Sequence, residues 1–198
     1  SEAMQRAPAF FFKNARDGRD FAQWLRDNFE VIKAQAESTT SVGKLLEIEI
    51  YPVHNIVYTR FDYSTGDAAG QNMTGMATFA ACEWIRANYP KLRTYGLSGG
   101  WDTEKKTSFV NSLKGRGRKV TAELIIPRQV LEEVLRTTPE QLRNSHGINT
   151  LSAYLTGASN NAAHPANGLA ALYMATGQDM ANIGEANQCS VYSYVTTS

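Results

Sequence analysis

The spacing of apolar positions changes several times along this chain, and each change predicts an element. Phe10 to Phe12 is an apolar run of strand length, and Asp17 and Gly18 interrupt it. From Arg19 the spacing turns helical, with Phe21, Trp24, Leu25, Phe29 and Ile32 three or four residues apart. Ser38 to Gly43 is small and polar and reads as a loop. Leu46, Ile48 and Ile50 then alternate with Glu47 and Glu49, the period of a half-buried strand. Pro52 to Asn55 is a turn, after which Val57, Thr59, Phe61 and Tyr63 line one face of a second strand, so the two strands predict a hairpin. A run of small residues from Ser64 to Met73 precedes a helix with Met76, Phe79, Ala80 and Trp84 on its inner face, ending near Pro90. Leu92 to Leu97 has the length of another strand. Helix, hairpin, helix, strand predicts a small sheet covered by helices on one side, an α+β layer.

Beyond Leu97 the pattern loosens. Ser98 to Thr107 is polar and reads as a linker or an active-site loop. Val120 to Ile126 predicts a strand, and Pro127 stands where a helix carrying Val130, Leu131, Val134 and Leu135 begins. Asn160 to Thr176 is rich in alanine and helical in pattern, with Pro165 as an interruption. Val191 to Val195 predicts a last strand. No internal repeat and no low-complexity tract is present.

Composition narrows the functional classes. With 198 residues and 42% hydrophobic content, the chain can bury the core of one large domain or two small ones. A charged fraction of 20% and a net charge of +1 leave no global footprint for nucleic acid or a membrane surface, so any basic site is local. The basic stretch Lys114 to Lys119 lacks interleaved aromatics and reads as a hairpin loop rather than a nucleic-acid site. Cys82 and Cys189 are too few and too far apart for a disulfide framework or a zinc motif, so no metal site is expected and the setting is a reduced one. The apolar runs are far too short to span a bilayer, and Ser1 to Pro8 has no apolar segment of the signal-peptide kind. A cytoplasmic setting is expected, any membrane anchor lying outside these residues.

Three clusters can carry chemistry. Gly66 to Gly75 lies between a predicted strand and a predicted helix, where backbone N–H groups can meet an anion. It is neither G-x-G-x-x-G nor a phosphate loop ending in Gly-Lys-Ser/Thr, and a tight turn with Asp67 near the helix start explains it equally. Thr103-Glu104-Lys105-Lys106 is either a solvated face or a lysine beside a carboxylate, able to polarise a carbonyl oxygen. In Gly177-Gln178-Asp179, at the end of the alanine-rich helix, a cap explains the glycine, while the acid opposes the helix dipole. His164, Asn161 and Asn167 are weak candidates by themselves.

Taken in order, the clusters resemble one family. G-D-A-x-G-x-N-M at Gly66 to Met73 is similar to the nucleotide-binding motif of the hydroxymethylglutaryl-coenzyme A reductases. S-G-x-x-x-T-[DE]-K-K at Ser98 to Lys106 resembles their lysine loop. G-R-G at Gly115 to Gly117, A-E-x-x-I-P at Ala122 to Pro127, E-V-L-x-T-T at Glu133 to Thr138, A-H-x-A-N at Ala163 to Asn167 and G-Q-D at Gly177 to Asp179 continue the series. The likeness runs from about Met4 to Cys189 and is closer to the eukaryotic and archaeal class. It implies an NADPH-dependent four-electron reduction of hydroxymethylglutaryl-CoA, or a similar acyl-CoA, to mevalonate and CoA, with NADH as the alternative reductant. It implies Lys105 as the oxyanion-stabilising group and Asp179 as the aspartate that hydrogen-bonds it. Ser98, Lys106 and Asn167 correspond to substrate contacts; Arg6, Thr40, Asp67, Gln71 and Asn72 correspond to cofactor contacts.

The resemblance also implies an architecture. Residues 1–9 would lead in from a substrate domain. Residues 10–97 would form a ferredoxin-like antiparallel sheet with helices, the cofactor domain. Residues 98–198 would be a connecting loop and part of a larger, mainly helical substrate-binding domain. The full-length protein would be a homodimer or homotetramer. The family's catalytic glutamate, in E-N-V-I-G, and its terminal histidine have no match in the 198 residues, so this chain alone is expected not to complete catalysis. Departures from the family pattern are Glu104 for aspartate, Gly100 for asparagine, Ala69 and Gln71 for methionines, Tyr192 to Tyr194, and Ser41 where an arginine often grips the 2′-phosphate. A paralogue acting on another acyl-CoA thioester, or a non-catalytic nucleotide-binding module, is the competing reading; retention of Lys105, Lys106 and Asp179 argues against the module.

Overall fold

Strand β4 (Ile56–Ser64) organises the first half of the chain. In the computed structural model, which describes residues 3–115, 119–162 and 164–196, its Val57, Thr59, Phe61 and Tyr63 are all fully buried, as their alternation predicts. One edge pairs antiparallel with β3 (Lys44–Val53) through a tight turn in which His54 takes φ 56°. The other edge pairs with β1 (Met4–Arg6) and β2 (Ala9–Phe11). These two pieces keep one register, Arg6 opposite Phe61 and Ala9 opposite Tyr58, with the Pro8 carbonyl accepting from Thr59 N–H at 3.1 Å between them. They are one ribbon interrupted where Pro8 has no N–H to return. Met4–Arg6 thus lies in the same sheet as the strand that follows it. β5 (Thr94–Gly96) pairs antiparallel with β2, giving the order β3–β4–β1/β2–β5.

Helices α1 (Ala15–Asp27), α2 (Phe29–Glu37) and α3 (Gln71–Asn88) accompany this sheet. Phe10, Phe12, Phe21, Leu25, Ile32, Leu45, Phe61, Tyr63, Ala81 and Ile85 share one core. The first helix starts earlier than its apolar spacing predicts, because the Asn14 side chain accepts from Asp17 N–H at 2.9 Å and caps it. Asp17 and Gly18 therefore lie inside the helix and do not break the chain. The predicted single helical run is split at Asn28, whose amide turns back to donate to the Trp24 carbonyl at 2.8 Å.

Two predicted faces are corrected. A bulge between Leu45 and Glu47 shifts the β3 register, so Leu45 is buried while Leu46 is 51% exposed; Ile48 and Ile50 do pack on the core. On α3 the inner face is Thr74, Ala77, Thr78, Ala81, Cys82 and Ile85, whereas Met76 and Phe79 are 63% and 51% exposed. Small residues let this helix approach closely enough for Thr78 and the Tyr63 hydroxyl to share a hydrogen bond of 2.9 Å. Trp84, the remaining large member of the predicted face, stacks on Trp24 at 5.8 Å.

The chain divides into two compact units, Ser1–Glu104 and a second built from Lys105–Lys114 with Lys119–Ser198. The second holds α4 (Phe109–Lys114), α5 (Arg128–Glu133), α6 (Pro139–Thr156), α7 (Pro165–Thr176), a 3₁₀ turn (Met180–Asn182) and α8 (Ile183–Ala186). Helix α6 carries its own start signal: Thr138 and Gln141 form a capping box around Pro139. The strands predicted at Val120–Ile126 and Val191–Val195 do not form, because no edge among the described residues pairs with them. Val120, Leu124 and Ile125 are exposed there. Proline at Pro165 does not interrupt a helix; it occupies the first position of α7, where a missing N–H costs nothing. Arg116 and Gly117 of the G-R-G motif, Arg118 of the basic stretch, and Ala163 lie outside the described residues. No helix among the described residues is long and apolar enough to cross a membrane.

Candidate active site

Lys105 and Asp179, distant in sequence, meet within the second unit: Lys105 Nζ lies 2.9 Å from Asp179 Oδ2, both side chains half exposed. Local structure explains the aspartate. Helix α7 ends at Gly177, φ 68°, where Gln178 N–H donates to the Tyr173 carbonyl at 2.9 Å. Asp179 then caps the next turn, its Oδ1 accepting from Ala181 N–H at 3.0 Å. The acid therefore does not oppose the α7 dipole as its position in sequence suggests; it begins a new turn with its own unpaired N–H groups. The hydrogen bond from Lys105, and then that from Ala181, hold the Asp179 carboxyl below the usual carboxylate range. An ammonium carries three N–H donors and can hydrogen-bond more than one oxygen at once. Lys106 is exposed, and its carbonyl accepts from the Asn111 amide at 2.7 Å. Asn167 is exposed in the first turn of α7, its N–H donating to the His164 carbonyl at 3.1 Å.

In the first unit, the candidates for nucleotide contact gather at the start of α3. Gly66 and Gly70 take φ values of 69° and 87°, and a Cβ at Gly70 would collide with the Thr65 side chain. The Thr65 hydroxyl donates to the Ala68 carbonyl at 2.6 Å, closing the loop that exposes Asp67. No side chain among the described residues caps α3, its first turn carries no acid, and Asn72 is exposed on it. Thr40 Oγ1 accepts from the N–H groups of Val42 and Gly43 at 3.2 and 3.0 Å. That turn is seated on α3, since a Cβ at Gly43 would come within 2.5 Å of Met73 Sδ. From β1, Arg6 reaches the second turn of α3 beside Gly75 and pairs with Glu104 at 3.7 Å. The Gln71 amide donates to the same Glu104 carboxylate at 2.9 Å. Sequence spacing carries no signal for this Arg6–Glu104–Gln71 link, and it commits Gln71 to a protein partner. Ser98 is exposed just before Gly99, whose N–H donates to the Ala7 carbonyl at 2.6 Å and ties the segment to the β1/β2 ribbon.

A charged cluster lies on β3 and β4. Carboxylate oxygens of Glu47, Glu49 and Asp62 come within 4.8 Å of one another. Arg60 is fully buried and pairs with Glu49 at 3.3 Å. Burial pushes the Asp62 carboxyl up to about 7; Arg60 pulls it down, Glu49 and Glu47 push it up, and Gln5 pulls it down. Nearby Trp101 stacks between Tyr51 and Tyr58, 4.9 Å from each ring.

The sequence model of the hydroxymethylglutaryl-coenzyme A reductase family matches residues 1–198. The 3-hydroxy-3-methylglutaryl-coenzyme A reductase of Haloferax volcanii is 42% identical over 183 residues, 92% of this chain and 45% of the relative. The enzyme of the same name from Pyrococcus abyssi is 36% identical over 197 residues, 98% of this chain and 48% of the relative. That of the insect Agrotis ipsilon is 35% identical over 191 residues, 94% of this chain and 23% of the relative. The chain spans about half the length of the archaeal relatives it matches. An ordered series of motifs, a family match over every residue and relatives at this identity lead to one conclusion: the chain belongs to the hydroxymethylglutaryl-coenzyme A reductase family.

Proposed function

We propose that the protein carrying this chain reduces hydroxymethylglutaryl-CoA to mevalonate and CoA, with NADPH as reductant. The observation that carries this reading is the Lys105–Asp179 pair at 2.9 Å. NADPH, when bound, supplies the reducing equivalents for both stages of the four-electron reduction. Lys105 donates a hydrogen bond to the substrate carbonyl oxygen and offsets the negative charge that grows there, the electrostatic term that dominates such reactions. Asp179 keeps that lysine aimed. Ser98, Lys106 and Asn167 are assigned to the substrate side, Lys106 as a point charge for a carboxylate.

The start of α3 suits a dinucleotide. An uncapped helix of 18 residues, with no acid in its first turn and glycine at the close approach, presents N–H groups to a pyrophosphate. Asn72 and the Asp67 loop flank that position, Gln71 braces it through Glu104, Thr40 sits in the neighbouring turn, and Arg6 is the cation beside the second turn. The β-α-β-β-α-β order with antiparallel neighbours β3–β4–β1/β2–β5 supports reading residues 10–97 as a ferredoxin-like cofactor domain; residues 98–198 are assigned, on the family resemblance, to a connecting loop and part of the substrate domain.

In the whole protein, Lys105→Ala is expected to lower the rate of thioester reduction by about 10²–10³, a loss of roughly 3–4 kcal/mol at the transition state. Steady-state kinetics with hydroxymethylglutaryl-CoA checks this. A near-normal rate in the variant overturns the role of Lys105.

A further inference from the structure

We propose that Glu185 and Gly184 are positioning residues for Lys105, holding its backbone in the one conformation that aims Nζ at Asp179. The proposal rests on the reading of Lys105 given above. Lys105 takes φ 58°, a left-handed conformation that a lysine adopts only when its surroundings impose it. The surroundings are the α8 segment. Glu185 Oε1 accepts from Lys105 N–H at 2.7 Å, a short bond to an ionised acceptor. Gly184 lies flush against the other side of the same residue: a Cβ there would come within 2.6 Å of the Lys105 carbonyl oxygen and 3.2 Å of its carbon. Two residues on, the Thr107 hydroxyl donates to the Gly184 carbonyl at 2.7 Å. Amide, carbonyl and following residue are thus held by two adjacent positions.

The same short stretch of chain also carries the partner of the lysine's other end. Asp179 caps the 3₁₀ turn that runs directly into α8, so one folded segment grips the lysine at its N–H through Glu185 and at its Nζ through Asp179. Sequence gives no hint of this, because Glu185 stands 80 positions from Lys105 and outside every motif described above. Glu185 touches no reacting atom in this scheme. It acts through Lys105, and misplacement of a positioned group by about 1 Å can cost on the order of a hundredfold in rate.

The test compares Glu185→Ala, Glu185→Gln, Gly184→Ala and Lys105→Ala in the whole protein, reading kcat and KM for hydroxymethylglutaryl-CoA, Tm, and hydrogen exchange at the Lys105 amide. Glu185→Ala is expected to lower kcat by about tenfold to a hundredfold, to change KM far less, and to speed exchange at the Lys105 amide. Glu185→Gln keeps a carbonyl oxygen for that N–H and should recover most of the lost kcat. Gly184→Ala leaves every hydrogen bond available but presses on the Lys105 carbonyl, and should lower kcat with Tm little changed; it carries the test if Glu185→Ala does not fold. Wild-type kcat in Glu185→Ala or Gly184→Ala, beside an inactive Lys105→Ala, overturns the positioning role and leaves the reading of Lys105 standing. A Glu185→Gln variant as impaired as Glu185→Ala also overturns it. Near-normal turnover in Lys105→Ala removes the reading beneath it, and unchanged amide exchange in Glu185→Ala overturns the geometry whatever the activity.

Discussion

Lys105 is a lysine whose charge has been given a fixed address. Its ammonium is half exposed, so the pairing with Asp179 contributes little to stability by itself. The pairing matters for direction: a flexible four-carbon stem is confined to one arc by a carboxylate that is itself pinned by Ala181 N–H. Ser41 stands where the family pattern often carries an arginine. It is exposed in the turn that Thr40 closes and that Gly43 seats on Met73, beside the start of α3. On the proposed cofactor reading, a guanidinium there would meet the 2′-phosphate that distinguishes NADPH from NADH, and a charged hydrogen bond contributes about 1.5–3 kcal/mol. In the whole protein, Ser41→Arg is expected to raise the NADPH-over-NADH ratio of kcat/KM by about tenfold or more. A wild-type enzyme that already prefers NADPH several hundredfold, and gains nothing from the arginine, would assign the 2′-phosphate to another group.

At the scale of the element, β4 does two jobs on its two faces. The inward face, Val57 to Tyr63 in alternation, builds the core, while Arg60 and Asp62 between them are buried beside Glu49 and the exposed Glu47 of β3. A carboxyl so buried is held protonated to about pH 7, against an ordinary value of 3.8. The sign follows from linkage: the folded state binds the proton more tightly than the unfolded one. Stability is therefore greatest below the ordinary value, falls as pH rises from about 4 to about 7, and then levels off. Asp62→Asn removes this term, so its stability should change less between pH 4.5 and pH 7.5 than that of the wild type, by an amount on the order of 1 kcal/mol or more. Urea denaturation at the two pH values measures it; equal slopes in both proteins would mean that Asp62 ionises normally.

Each unit has its own way of handling apolar side chains. The first closes a core around aromatic rings: Phe21 is fully buried, 4.9 Å from the Phe10 ring, 4.8 Å from Phe12 and 5.0 Å from Tyr89. Phe21→Ala is expected to destabilise this unit by about 3–5 kcal/mol. Hydrogen exchange should report the loss across the strands and helices that surround it, and unaltered protection there would show that the cavity collapses. In the second unit Leu113, Val120, Leu124, Ile125 and Tyr154 are more than three-quarters exposed, and Leu131 is the buried large apolar side chain among the described residues. Its protection should accordingly be the lower of the two.

Much of this was legible in the residues themselves. Alternation along Val57 to Tyr63 specified the buried face of β4, because side chains on a strand can point only two ways. The hairpin, the α+β class and the glycines at Gly70 and Gly177 follow from equally local rules. The ordered motifs point to the family to which the chain belongs, and the roles proposed for Lys105 and Asp179 rest on those same motifs. Tertiary structure decided what local rules leave open. A bulge chose Leu45 over Leu46, and close packing chose Ala77, Thr78 and Ala81 over Met76 and Phe79, since a helix lying near a sheet has room only for small side chains. Val120–Ile126 has the residues of a strand but no edge among the described residues to pair with, and a strand exists only in a pair. Folding likewise brought Glu104 to Arg6 and Gln71, gathered Asp62 with Glu47 and Glu49, and set Glu185 on the Lys105 amide. Apart from Glu47 and Glu49, which alternation sets on one side of β3, those contacts join residues far apart in sequence, because hydrogen bonds and ion pairs depend on distance in space, and only the packed chain sets that distance.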